Sequence, residues 1–411
     1  MLSRTRIALI SSAGLILLGL LLYQIPAVQS RVAWRYERLS TYVRMLADPA
    51  GPVPTALPVP TAAQGLTPTL IPITPTSAAT SVPTPSLPPL PAQAALTSPE
   101  WEREDMNNCG PATLSMMLHM YGWSGDQFDI SKVVKPDRAD RNVNPDELAF
   151  WVRNYAGWLR AEYRVNGDLT LLKRLLAAGY PVIIETTFRL DPKDSGWPND
   201  DLWAAHYKLI TAYDDAARAF TLQDAYHGAD QVVPYDMLEA GWRPFNYVYF
   251  LIYLPEEEPE LHTIIGQDWD PDMNRLNALN ASQARTVLHP DDAFDWFNYG
   301  SNLVYFERYD EAAGAYDTAR RLGLPQRMVR YQFGPFLAYF HSNRNDDLLE
   351  LTDYALQITY KSEEAWLWQG WGLYRKGDTT GAVNAWQRAL ALRNGNYPDA
   401  QYALDYVRQA P

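Results

Sequence analysis

The chain has 411 residues, 47% of them hydrophobic, enough for two cored domains with additions. A formal net charge of −13 argues against a nucleic-acid groove, which needs a basic stripe. One cysteine excludes an internal disulfide framework and any CxxC knuckle. Six scattered histidines show no HExxH, so neither metal nor cofactor is expected.

Arg4 and Arg6 precede an uncharged run from Ile7 to Val28, long enough to cross a bilayer at about 20 residues. Pro26-Ala27-Val28 is a poor cleavage site, and no cysteine follows that would carry a lipid. Residues 1–28 are therefore expected to be an uncleaved transmembrane anchor rather than a signal peptide. Residues 30–47 are charged and read as a short juxtamembrane helix. From Gly51 to Pro99 no residue is charged, and Pro, Thr, Ala and Ser dominate. Residues 29–98 are thus expected to be a juxtamembrane segment and a disordered stalk, favouring polyproline II and reaching on the order of 150 Å at about 3.1 Å per residue. A stalk after an anchor fits globular domains outside the cytoplasm, at the cell surface.

Composition shifts at Glu100, and residues 99–256 mix helix and strand. The first helix is expected to start at Cys109, with Pro111 in its first turn, Leu114, Met117, Leu118 and Tyr121 as its buried stripe, and Gly122 as its stop. Asn144-Pro145-Asp146-Glu147 signals a second helix by cap, proline and carboxylate. A third covers Asp168 to Ala178. Strands are expected at Pro181–Thr186, Tyr207–Tyr213, Ala219–Leu222 and Tyr247–Leu254, the middle two joined by a turn at Asp214–Ala217. Helices first and strands later give an α+β domain. Over 257–411 strand signals vanish. Trp296, Gly300, Tyr309, Ala312, Tyr316 and Ala319 resemble the tetratricopeptide pattern, and Trp366, Gly370, Ala382, Trp386 and Ala389 repeat it. Residues 331–340 and 347–356 read as a middle, degenerate repeat, Ala278–Leu288 as a leading half-repeat and Asp399–Arg408 as a closing helix. An all-α array for protein binding is expected.

Acyl transfer by a thiol needs a deprotonated sulfur, a base that accepts and returns the proton, and a group that orients the base. Cys109 at a helix start meets free N–H groups and the positive dipole end, which favour a thiolate. His206 opens one strand and Asp224 ends the next. Hairpin pairing would place them almost opposite each other, with Cβ atoms ~5 Å apart, the carboxylate holding the imidazole by Nδ1–H. His119 and His227 are rival bases. The Cys109 N–H supplies one oxyanion donor. Asn107 and Asn108 are candidates for a second, with Asn108 favoured for a turn or capping role.

Asn107-Asn108-Cys109-Gly110-Pro111-Ala112-Thr113-Leu114-Ser115-Met116, His206 before an apolar strand ending Tyr213-Asp214-Asp215, and Asp224 at the next strand end resemble the bacteriocin-processing (double-glycine) cysteine peptidases of the papain-like superfamily. The resemblance covers about Glu100 to Glu256. It implies a papain-like fold, with Cys109 as nucleophile, His206 as general base and acid, Asp224 as orienter, and a peptide or protein as substrate. Relatives usually carry an oxyanion Gln several residues before the cysteine. Here residues 101–106 contain none, and Arg103, six residues before Cys109, is a further candidate donor. No GxxxxGK[ST] loop is present, so coupled export is not expected. The alternatives are a weak or inactive papain-like module that grips peptides or wall polymers while the array scaffolds an envelope complex, and an amidase or transamidase on the same triad.

Overall fold

The computed structural model describes residues 4–58 and 87–409; side chains of residues 4–11, 15, 16, 26, 27, 29 and 30 are not among those described. Contacts divide the chain into two compact units, 1–50 with 191–200, and 51–190 with 201–411.

The first unit holds α1 (Arg4–Tyr23) and α2 (Pro26–Ala47). Pro26 starts α2, where a missing N–H costs nothing. Residues 191–200 fold against the end of α2. Trp197 and Met45 are buried there, and Arg38 meets Asp194 at 3.3 Å. The anchor expected over residues 1–28 falls on α1. Among the described residues, no helix is long and apolar enough to cross a membrane.

The second unit begins with a correction. The stalk expected over residues 29–98 is not free at its two described ends. Val53 is buried, Arg320 Nε donates to the Pro54 carbonyl (2.6 Å), and the Leu57 N–H donates to Asp347 (2.9 Å). At the far end, β1 (Gln93–Ala95) pairs with residues 212–214. The intervening residues 59–86 lie outside those described.

Then follow α3 (Cys109–His119), α4 (Gln127–Val134), α5 (Pro145–Tyr155), β2 (Arg160–Arg164), α6 (Leu169–Ala177), β3 (Val182–Arg189), β4 (Trp203–Asp214), β5 (Ala219–Asp224), β6 (Gly228–Pro234), α7 (Tyr235–Trp242) and β7 (Tyr249–Tyr253). The strands pair antiparallel in the order β2-β7-β3-β4-β5-β6. On one edge of β4, β3 covers residues 203–210 and β1 covers 212–214. Strand alternation splits the core in two. Phe250, Ile252, Ile183 and Leu209 pack with Leu114, Met117 and Leu118 of α3 and with Leu148 and Val152 of α5. Tyr249, Leu251, Ile184 and Ile210 pack with Leu172, Leu175 and Leu176 of α6. Each of these leucines contributes about 1.5–3 kcal/mol by leaving water. The α+β expectation holds, with β2, β6, α4 and α7 added.

The remainder is helical: α8 (Glu258–Ile265), α9 (Pro271–Leu288), α10 (Ala293–Tyr305), α11 (Tyr309–Leu322), α12 (Met328–Tyr331), α13 (Gly334–His341), α14 (Asn345–Ile358), α15 (Glu363–Arg375), α16 (Thr379–Leu392) and α17 (Pro398–Gln409). The pairs α10/α11, α13/α14 and α15/α16 lie side by side, and α9 and α17 pack on the neighbouring pairs. A Cβ on Gly300 would lie 2.8 Å from the Tyr316 ring, and one on Gly370 2.3 Å from Trp386. In both pairs glycine lets an aromatic of the following helix seat against the backbone.

Candidate active site

The nucleophile candidate is placed by local chemistry. Asn107 takes a left-handed turn (φ 54°) and Asn108 is the residue before α3, so Cys109 stands on the first helical turn. There its N–H lacks an intrahelical acceptor. The helix start is pinned to β4 beside His206. Thr113 Oγ1 donates to the Tyr207 carbonyl at 3.2 Å, and a Cβ on Gly110 would come within 3.3 Å of the Tyr207 ring. Gln127, at the start of α4, holds the approach. Its Oε1 accepts from the Asp105 N–H (2.7 Å) and Asn108 Nδ2 (2.8 Å), and its Nε2 donates to the Arg103 carbonyl (2.8 Å). Lys135 Nζ donates to the Asn107 and Asp140 carbonyls, each at 2.8 Å. Burial lowers the pKa of that ammonium.

Cys109, His206 and Asp224 come together. His206 Nε2 bonds Asp224 Oδ1 at 2.8 Å, and a ring nitrogen of His206 lies within 4.8 Å of Cys109 Sγ. Two details differ from the sequence reading. The hairpin turns about Ala216 and Ala217 rather than about Asp215, and past a bulge between Ile210 and Ala212 Leu209 stands opposite Gln223, so Asp224 falls beside Lys208 and reaches His206 on the diagonal. The imidazole also presents Nε2, not Nδ1, to the carboxylate, leaving Nδ1 on the side of Glu104 (3.7 Å). Phe188 and Tyr226 lie beside the His206 ring, with centroids at 5.1 and 6.4 Å, and shelter the bond from water.

Burial alone would raise the Asp224 carboxyl. Hydrogen bonds from His206 and His227, with the Lys208 charge, overcome it and hold the group well below the carboxylate range. Burial alone would lower the His206 imidazole. Its hydrogen bond with Asp224, the nearby Cys109 sulfur, and the Glu104 and Asp224 charges push it up to about 10. The ring is therefore set to carry a proton at neutral pH. His227, a rival base, bonds Asp224 Oδ2 at 2.9 Å and so supports the carboxylate. His119 bonds the Gly125 carbonyl at 2.7 Å, at the far end of α3.

The expected second oxyanion donors fare unequally. Asn108 is spent on Gln127, without a capping bond. Arg103 is exposed and touches Gln127 through its carbonyl. Extended chain alternates its side chains, so the neighbour Glu104 faces inward instead. Asn107 Nδ2 is buried without a hydrogen-bond partner and remains available. Glu104 was missed by the sequence reading, which sought an amide by type. Its Oε2 is buried and unpartnered. Burial raises its pKa, against the pull of the His206 charge. One ligand-type atom each from Glu104, Cys109 and His206 lie within 4.8 Å of one another.

Residues 89–250 match the sequence model of the Peptidase_C39 like family. No curated protein matches the chain. Among solved structures, it is similar to a protein from Bacillus anthracis described as a C39-like peptidase, at 17% identity over 39% of this chain and 97% of that one, with a TM-score of 0.31. A double glycine motif protease from an AMS/PCAT transporter, solved in complex with the leader peptide, aligns at 15% identity over 39% and 94%, TM-score 0.29. Xylellain, a cysteine protease from Xylella fastidiosa, aligns at 15% over 40% and 87%, TM-score 0.30. At such scores these likenesses add nothing to the family match. The match to the Peptidase_C39 like family falls on the α+β domain that holds Cys109, His206 and Asp224, and a helical region follows it.

Proposed function

We propose that the chain is a cysteine peptidase in which Cys109 forms a thioester with the acyl part of a peptide bond. The observation that supports it best is that Asp224 holds His206 by a 2.8 Å bond while the imidazole stands within 4.8 Å of the Cys109 sulfur at a helix start. Sγ attacks the scissile carbonyl, and the oxyanion meets the Cys109 N–H and the Asn107 amide. The His206 proton on Nδ1 passes to the leaving amine. Water then gives its proton back to Nδ1, attacks the thioester and releases the acid and the thiol. Asp224 keeps the ring oriented through Nε2.

Around this domain, the sequence supports a membrane anchor in residues 1–28, with the globular parts outside the cytoplasm. The matching Gly300/Tyr316 and Gly370/Trp386 contacts support tetratricopeptide-like repeats that bind a protein. A second reading has its own observation. With the acidic Glu104 near the sulfur, the cleft grips peptides or wall polymers with little turnover, and the array scaffolds an envelope complex. The test is Cys109→Ala on the purified chain, with a thiol-directed acylating probe and a peptide library. Loss of labelling and of all cleavage is expected. Full cleavage after the substitution would end the peptidase reading.

A further inference from the structure

We propose that Glu104, Cys109 and His206 form a site for a zinc-class divalent cation, and that occupancy silences the thiol. Among the described residues, this is where three side chains with ligand atoms of this kind meet, all within 4.8 Å of one another. The carboxylate and imidazole atoms stand 3.7 Å apart. Around a tetrahedral ion with bonds of about 2.0–2.3 Å, neighbouring ligand atoms are separated by roughly 3.3–3.8 Å. A small closing movement of the sulfur therefore completes three corners.

The surroundings also fit. Glu104 Oε2 is buried, makes no hydrogen bond and stands 3.7 Å from His206 Nδ1, so a cation entering there takes the place of the imidazolium charge it now faces. His206 has its other nitrogen on Asp224 at 2.8 Å. That is the carboxylate–histidine support that metal-bound imidazoles carry, and it leaves Nδ1 for the ion. Thiolate, imidazole and carboxylate together select zinc or cobalt over magnesium or calcium, which want oxygen alone. The two anionic ligands balance the charge of the dication. The fourth corner is left to water. Binding releases the Nδ1 proton of the imidazolium to solvent, and coordination then occupies the lone pairs of both Sγ and Nδ1, so neither attack nor proton transfer can start. An amide at position 104 would leave two strong ligands. The carboxylate thus gives this chain a metal response that the amide would not.

The proposal concerns binding and stands or falls apart from peptide cleavage. The tag-free, reduced chain is titrated with Co²⁺ in the absence of chelators, and Zn²⁺ is then added. One Co²⁺ per chain is expected, with a thiolate-to-cobalt charge-transfer absorption that Zn²⁺ removes. Zn²⁺ should also protect Cys109 from iodoacetamide, read by mass spectrometry. Cys109→Ser should abolish the absorption. Losing even an outer-shell partner costs about 10–100-fold in affinity, so Glu104→Gln should weaken binding at least about tenfold. Unchanged affinity in a folded Glu104→Gln chain overturns the proposal. Should that variant not fold, the unmodified chain decides: no charge-transfer absorption at millimolar Co²⁺, or no protection by Zn²⁺, overturns it equally.

Discussion

Asp224 at the candidate active site and a cluster of carboxyls around Arg393 are both largely buried, and they end in opposite charge states. At the candidate active site, Asp224 receives His206 Nε2 (2.8 Å), His227 Nδ1 (2.9 Å) and the N–H groups of Tyr226 and His227 (each 2.9 Å), with Lys208 at 3.4 Å. These donors keep it anionic. Where α5, α15 and α16 meet, Glu147, Glu363 and Glu364 surround the guanidinium of Arg393, which bonds Glu147 at 3.0 Å and Glu363 at 3.2 Å, and Asp140 lies between it and Lys135. There burial wins: Asp140 is pushed up to about 6, Glu147 to about 7, Glu364 to about 8, and Glu363 well above its usual range. Depth does not explain the difference, since the Asp224 side chain is 2% exposed and that of Glu147 24%. The number of donors per carboxyl decides the charge. Lys135 stands between them, bonded to the Asn107 carbonyl on one side and that of Asp140 on the other.

The largest way to break the comparison is to remove the anion. Asp224→Asn keeps the shape but loses the charge that holds an imidazolium. Peptide cleavage should fall by about 10³–10⁴-fold in kcat, measured under saturating substrate. At the other cluster, Arg393→Met strips the shared cation. The carboxyls there then take up protons rather than stay charged, so the cost in denaturant unfolding at neutral pH should be that of lost charge-assisted hydrogen bonds, about 1.5–3 kcal/mol. The pH dependence carries a sign. Carboxyls with raised folded values ionise later in the native chain than in the unfolded one, so rising pH favours unfolding from about pH 4 up to those folded values. The His206 contribution is complete below its unfolded value of ~6.5 and is lost as pH rises through about 10. Asp224 works the other way, its contribution being lost only as pH falls below ~3.9. Calorimetry should therefore show the melting temperature declining between about pH 5 and pH 8, with a steeper decline in Arg393→Met.

What the sequence made legible follows the same physics. Cys109, His206 and Asp224 each carried a local signal, a helix start or a strand end. The ring nitrogen facing Asp224 did not, because the hairpin turns after Asp214 about Ala216 and Ala217 rather than about Asp215, which sets Asp224 beside Lys208 instead of opposite His206. The strands β2 and β6 were not among the expected elements because they are outer strands of their sheet path, where polar side chains such as Arg160, Glu162, Asp230 and Gln231 are tolerated. Residues 51–57 and β1 were invisible for another reason. Their order comes from hydrogen bonds to residues far along the chain, while their composition is that of an unfolded linker. Glu104 was missed because its environment, not its type, makes it notable.

A milder change sharpens the contrast from within the site. Glu104→Gln replaces a carboxyl by an amide beside the sulfur. An amide donates at every pH, whereas a carboxylate opposes the developing oxyanion. Since one such donor is worth ~10²–10³ when lost from an optimised site, a gain of about tenfold in kcat/KM at neutral pH is expected on the peptidase reading. No gain would favour the gripping module.

The smallest effect belongs to His227. Its side chain is 41% exposed, and it supplies one of the several donors on Asp224. His227→Ala opens Asp224 Oδ2 to water, which can replace the lost hydrogen bond, and leaves the bond from His206 Nε2 intact. Cleavage should fall only severalfold, on the order of 1 kcal/mol in barrier. The alkaline limb of the pH–rate profile should stay in place, because that limb follows His206. A loss as large as that of Asp224→Asn would mean that the exposed histidine, not the buried one, handles the proton.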